Sequence, residues 1–152
     1  GTLPMSITTC STQIYDAFLS NDLTKAFLHG HSFTGNPVGC AVSLASLDLL
    51  EKQECQDNIQ QIISSHTSFS ETIKNHPKIA NLRQTGTILA IELKDDNSGY
   101  ESNLRTQLYK YFLSEGILIR PLGNVVYILP PYCITSSELN KIYSAIEKVL
   151  NL

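Results

Sequence analysis

Ile79-Ala80-Asn81-Leu82-Arg83 and Thr87-Ile88-Leu89-Ala90-Ile91-Glu92-Leu93, joined through Gly86, decide the fold of this chain. Both are short apolar runs bounded by turn residues, which predicts two neighbouring strands. Just upstream, Pro77 ends a helical pattern. Downstream, Asp95-Asp96-Asn97-Ser98-Gly99 reads as a turn, and its paired carboxylates as solvated surface. Leu104 to Ser114 comes next with helical spacing and is closed by Gly116. Ile117-Leu118-Ile119-Arg120 reads as a third strand, Pro121-Leu122-Gly123-Asn124 as a turn, and Val125 to Leu129 as a fourth strand stopped by Pro130-Pro131. Thr135-Ser136-Ser137-Glu138 opens a last helix with Leu139, Ile142, Ile146 and Val149 as its apolar stripe. Strand–strand–helix–strand–strand–helix predicts an α+β domain: a small, mainly antiparallel sheet covered by helices.

Toward the N-terminus the pattern is more helical. Leu3 to Thr9 reads as a strand. Ser11 caps a short helix to Leu19 with Ile14, Ala17 and Phe18 on one face. Asn36 is a good N-cap and Pro37 sits at the first helical position, where a missing N–H costs nothing. The helix they open carries Val38, Ala41, Val42, Ala45 and Leu49, widened by Leu44 and Leu47, to about Lys52. So broad a stripe implies packing on several sides. A further helix spans roughly Cys55 to Asn75, with Ile59, Ile62, Ile63, Phe69 and Ile73 mostly on one face.

The 152 residues suffice for one ordinary core, and 42% hydrophobic with 16% charged residues describes a globular chain. A net charge of −3 without a basic stripe argues against nucleic acid as a partner. No apolar run approaches the length of a membrane span. Cys10, Cys40, Cys55 and Cys133 lack metal-ligand spacing, so reduced, buried thiols of a cytoplasmic protein are expected, and no metal site.

Three places carry chemistry. His29-Gly30-His31-Ser32-Phe33-Thr34-Gly35 runs into the Asn36-Pro37 helix start. Its hydroxyls and amides suit an anion such as a phosphate, and equally suit a plain loop leading to a helix. His29 and His31 alternate, but no third metal ligand accompanies them. Arg120 ends an apolar run and needs an anionic partner, either an internal carboxylate or the carboxylate of a substrate. Tyr127 sits in the facing strand, where a core tyrosine with its hydroxyl at the edge is the ordinary case. No Gly-rich nucleotide loop and no nucleophile–histidine–acid order is present.

Taken together, Leu3-Pro4-Met5-Ser6, Tyr15-Asp16-Ala17-Phe18, His29 to Pro37, Gly116-Ile117-Leu118-Ile119-Arg120-Pro121-Leu122-Gly123 and Val126-Tyr127-Ile128-Leu129-Pro130-Pro131-Tyr132 resemble the C-terminal part of the class III, fold-type-I pyridoxal-phosphate aminotransferases. The resemblance covers essentially the whole chain. The last two blocks most resemble the biotin-pathway branch, which moves an amino group from S-adenosylmethionine to 8-amino-7-oxononanoate. The resemblance implies that residues 1–50 end a large cofactor-binding domain and that 51–152 form the C-terminal small domain. It implies a cytoplasmic homodimer in which Ser32, with His31 beside it, contacts the phosphate of pyridoxal 5′-phosphate held mainly by the other subunit. Gly30 would contact the keto-acid substrate, Arg120 would pair with its carboxylate, and Tyr127 would line the same end of the pocket. Ser32 stands where relatives often have Thr, and His31 where some have Pro.

The resemblance also implies that the Schiff-base lysine lies upstream of Gly1, because Gly1-Thr2-Leu3-Pro4 matches the tail of the Thr-Gly-Gly-x-Leu-Pro segment next to it. None of Lys25, Lys52, Lys74, Lys78, Lys94, Lys110, Lys141 or Lys148 sits in a matching context. The 152 residues are therefore expected to be inactive alone. The apolar helix from Pro37 is expected to drive self-association. Two alternatives stay open: another class III aminotransferase, of ω-amino acid or ornithine type, and a standalone binding module without catalysis.

Overall fold

The computed structural model describes residues 2–95 and 103–151 and divides them into two compact units, residues 1–52 and 53–152. The first unit holds helix α1 (Thr12–Phe18), a short 3-10 turn (Leu23–Lys25) and helix α2 (Pro37–Leu50). Ser11 caps α1, and the Asn36 side chain accepts the Gly39 N–H at 2.9 Å to cap α2, with Pro37 in the first turn. The expected strand from Leu3 to Thr9 does not form: among the described residues of its unit, no partner strand is there to take its backbone hydrogen bonds. The apolar stripe of α2 does not find the packing its width implies. Gly39 is the buried residue of this helix, while Val38, Leu44, Leu47 and Leu49 stay exposed. Ile14 and Phe18 of α1 are exposed likewise. The described hydrophobic core lies wholly in the second unit.

That second unit holds α3 (Gln53–Ile73), β1 (Ile79–Thr85), β2 (Ile88–Leu93), α4 (Asn103–Ser114), β3 (Val125–Ile128) and α5 (Ser136–Asn151). The sheet order is β1-β2-β3, antiparallel throughout, and the fold class is α+β. The period-2 rule shows directly in burial: Leu89, Ile91 and Leu93 of β2 and Val126 and Ile128 of β3 face the core. Ile62, Phe69 and Ile73 of α3, Leu108 and Phe112 of α4, and Leu139, Ile146 and Leu150 of α5 complete it. Thr135 and Glu138 form a capping box at the start of α5: the Glu138 N–H donates to Thr135 Oγ1 at 3.3 Å, and the Thr135 N–H donates to the Glu138 carboxylate at 2.8 Å. The Thr135 N–H, and after it the Thr135 hydroxyl, which donates to the same carboxylate at 2.8 Å, hold the Glu138 carboxyl below its ordinary value. Beyond Asp95, the acidic turn expected before α4 lies outside the described residues.

The core also contains a histidine that the apolar periodicity does not reveal. His66 is fully buried on α3; its Nδ1 lies 2.7 Å from the Tyr143 hydroxyl and its Nε2 lies 3.2 Å from the Thr87 carbonyl. A carbonyl only accepts, so Nε2 carries the proton and Nδ1 accepts from Tyr143. The ring thus joins α3, the β1–β2 turn and α5, while Phe69 stacks on Tyr143 at 4.2 Å. Burial pushes His66 below the ordinary 6.5, with the Thr87 hydrogen bond pulling partly back, and pushes Tyr143 up to about 12. Because the folded value is depressed, the unfolded chain takes up the proton first as pH falls. Stability is therefore full above about pH 6.5 and declines below it, by up to about 1.4 kcal/mol per pH unit, until the folded value is reached. Urea midpoints at pH 7.5, 6.5 and 5.5 check this; a flat profile would show that His66 is not held neutral.

Candidate functional site

In the second unit, the expected strand from Ile117 to Arg120 does not form, because the segment joins no ladder. Its start is set by the end of α4. The Ile117 N–H donates to the Phe112 carbonyl at 2.8 Å and the Gly116 N–H to the Leu113 carbonyl at 3.0 Å, with Gly116 at φ +69°. This is the Schellman arrangement, and only glycine takes that φ without strain. Its end is set by a two-residue turn. Leu122 and Val125 exchange both backbone hydrogen bonds, at 2.9 and 3.0 Å, around Gly123 (φ +61°) and Asn124. The buried Asn124 bolts this turn to β2: its side-chain amide donates to the Leu93 carbonyl at 2.6 Å, and its carbonyl accepts the Leu93 N–H at 3.0 Å.

Between these fixed ends the chain alternates. Ile117 and Ile119 are buried, whereas Leu118 and Arg120 are exposed. The expectation that Arg120 ends a buried strand is thus corrected: it points away from the core, and among the described residues no carboxylate pairs with it. A groove of about 380 Å³ opens between this segment and β3, and Arg120 and Tyr127 both line it. Leu118, Leu129, Pro131 and Ile142 are among its other walls. The groove exists because the ladder stops after the Leu122–Val125 pair, which leaves the two segments side by side without closing on each other. Leu118, Leu129 and Asn124 do not stand out in the sequence; the in-out alternation across the Gly123-Asn124 turn is the signal that could have found the two leucines. Among the described residues no lysine lines the groove.

In the first unit, the loop 29–36 is exposed up to the half-buried Asn36 and closed on itself. Thr34 Oγ1 accepts the His31 N–H at 3.3 Å, and the Thr34 N–H donates to the His31 carbonyl at 2.9 Å. Thr34 is therefore the residue that shapes the loop. The Ser32 hydroxyl and N–H have no partner among the described residues, in contrast to the hydroxyl of Thr34. A Cβ placed on Gly30 would meet only Thr34 Oγ1, at 3.9 Å, so nothing local demands a glycine there. His29 stacks on Phe27 at 5.5 Å. Among the described residues no cluster of metal-ligating side chains occurs, and no helix is long and apolar enough to cross a membrane. The cysteines are free thiols but not buried ones: Cys10 and Cys133 are exposed, Cys40 and Cys55 half-buried. The expectation of buried thiols is corrected by the lack of a core in the first unit and by the edge position of the other two.

Residues 1–150 match the family model described as aminotransferase class-III. The chain is 43% identical over 151 residues to the adenosylmethionine-8-amino-7-oxononanoate aminotransferase of Synechococcus elongatus, covering 99% of this chain and 35% of that protein. It superposes with a TM-score of 0.76 on the crystal structure of the like-named enzyme of Methanocaldococcus jannaschii, at 31% identity, over 90% of this chain and 33% of that one. The PMP-bound form of an aminotransferase from Vibrio fluvialis gives 0.73 at 26% identity, over 84% of this chain and 29% of that one. The chain spans about a third of the length of the relatives it matches. A match over nearly every residue, with the groove and the loop both inside it, makes this chain a member of the class III aminotransferase family.

Proposed function

We propose that these residues are the carboxylate-recognising and phosphate-contacting part of a pyridoxal-phosphate aminotransferase that moves an amino group from S-adenosylmethionine to 8-amino-7-oxononanoate, forming 7,8-diaminononanoate for biotin. The observation that carries this reading is Arg120: a permanently charged fork, exposed on the wall of a largely apolar groove, with no carboxylate paired to it among the described residues. Such a group suits a substrate carboxylate held bidentately while an alkyl chain lies against the apolar walls. Tyr127 lines the same groove and would border the substrate there.

The loop fits the cofactor's phosphate in donor chemistry. The unpartnered Ser32 hydroxyl and N–H offer two hydrogen bonds to a phosphate oxygen, with His31 beside them, and Gly30 leaves room for the keto-acid substrate. The cofactor supplies the electron-withdrawing ring that carries the amino group between donor and acceptor. The lysine that such a cofactor needs would come from outside residues 1–152, and these residues by themselves would bind and orient without turning over. In this reading residues 1–50 close a large cofactor domain and 51–152 form the small domain. The exposed apolar faces of α1 and α2 support a homodimer, placed in the cytoplasm.

The test is an amino-donor panel with the protein that carries this chain. 7,8-Diaminononanoate is expected to form from S-adenosylmethionine and 8-amino-7-oxononanoate. Refusal of S-adenosylmethionine with acceptance of an ω-amino acid or ornithine would move the chain to another branch of the family, and no transfer from any donor would leave a binding module.

A further inference from the structure

The turn that carries Arg120 into the groove also brings two leucines there. The pairing itself ends at Leu122 and Val125, but the two segments run back from this turn side by side, and Arg120, Tyr127, Leu118 and Leu129 all line the groove between them. Burial alternates on both sides. Ile117, Ile119, Val126 and Ile128 are all buried, at 7, 7, 2 and 2% exposure, and the residues between them face the other way. Leu118 is 70% exposed and Leu129 60%, and both line the same groove as Arg120 and Tyr127. Isolated exposed leucines need no explanation, but two on the walls of one groove with an arginine that meets no carboxylate among the described residues form a patch. Arg120 and Tyr127 carry the groove's polar side chains, and Leu118 and Leu129 are its large exposed apolar ones, beside the buried Ile117, Ile119 and Ile128. Same-face neighbours in an extended chain are about 7 Å apart, the reach of a short alkyl chain of about five carbons.

From this arrangement we infer that Leu118 and Leu129 are specificity-determining residues, which select a carboxylate bearing an unbranched aliphatic chain over a short or polar one. The inference rests on the reading of Arg120 as the carboxylate partner and adds to it the side chains that sense the alkyl portion attached to that carboxylate. The guanidinium holds the head, and the leucines shed water only when methylenes reach them.

The experiment titrates the 152-residue chain with butyrate, hexanoate and octanoate, following the backbone amide resonances of Ile119 and Tyr127, two residues of the groove wall, by NMR. Each added methylene is expected to tighten binding about two- to fourfold, the upper figure being full burial of a CH₂. In the double variant Leu118→Ser/Leu129→Ser the gain per methylene is expected to fall to less than half of that in the unaltered chain, the remaining apolar walls keeping the rest. Both leucines are exposed, so the core does not change. Leu113→Ser, an exposed leucine of α4 outside the groove, is expected to keep the full dependence. A dependence kept at half or more in the double variant, or a flat one in the unaltered chain, overturns the inference and leaves Arg120 standing. If Arg120→Gln binds all three acids as the unaltered chain does, or if none binds, the carboxylate reading itself falls and takes the inference with it.

Discussion

His66→Ala is expected to destabilise the 53–152 unit by about 3–5 kcal/mol, a large share of the stability of a domain this size. The change removes a fully buried ring from between three elements and leaves a cavity beside Phe69 and Tyr143. It also strands two polar groups in the core, the Tyr143 hydroxyl and the Thr87 carbonyl, and each costs about 1–3 kcal/mol when unsatisfied. Urea unfolding followed by circular dichroism reads the loss. Tyr143→Phe removes the hydroxyl but keeps the ring that stacks on Phe69, so its expected cost is smaller, about 1–2 kcal/mol. The two changes share one hydrogen bond, so the double variant is expected to lose less than the sum. A His66→Ala chain that unfolds at the same urea concentration as the original would mean that α3, the β1–β2 turn and α5 are held together by apolar packing alone.

The second large effect concerns Arg120. In the protein that carries this chain, Arg120→Gln is expected to lower kcat/KM for 8-amino-7-oxononanoate about 100-fold, the value of a charge-assisted, two-pronged contact made to a carboxylate. Arg120→Lys keeps the charge but not the fork, and is expected to recover only part of the loss. The control is the methyl ester of the same substrate. Without a carboxylate it has nothing for Arg120 to hold, so the Arg120→Gln variant should handle it as the original does. An equal loss for acid and ester would mean that Arg120 supports the groove wall and does not recognise the substrate.

How much of the structure is legible in the residues differs between the two units. In the second, the hairpin signal of Ile79 to Leu93, Gly116 after α4, and the Thr135–Glu138 box each act through bonds between residues close in sequence, and all three form as the sequence predicts. The segment Ile117–Arg120 has the composition of a strand, yet a ladder needs a neighbour at hydrogen-bonding distance, and the pairing ends at Leu122 and Val125. The first unit reverses the balance. Ser11 and Asn36 cap their helices as the local sequence demands, but the stripe of α2 says only that something should cover it, not what. In the loop, Ser32 and Thr34 are equal as hydroxyls in the sequence. Their difference is one hydrogen bond from the His31 N–H, which occupies Thr34 and leaves Ser32 open.

By itself the sequence determined the helices, the β1–β2 hairpin and β3, their caps and turns, the α+β class and the family, because these depend on short-range bonds, on the period of apolar residues and on motifs along the chain. Tertiary structure alone decided that His66 is a buried bolt between α3, the β1–β2 turn and α5, for its partners Thr87 and Tyr143 lie 21 and 77 residues away. It also decided that Arg120 faces a groove with Tyr127 and meets no carboxylate among the described residues, because which side of the segment meets the core depends on what packs against it.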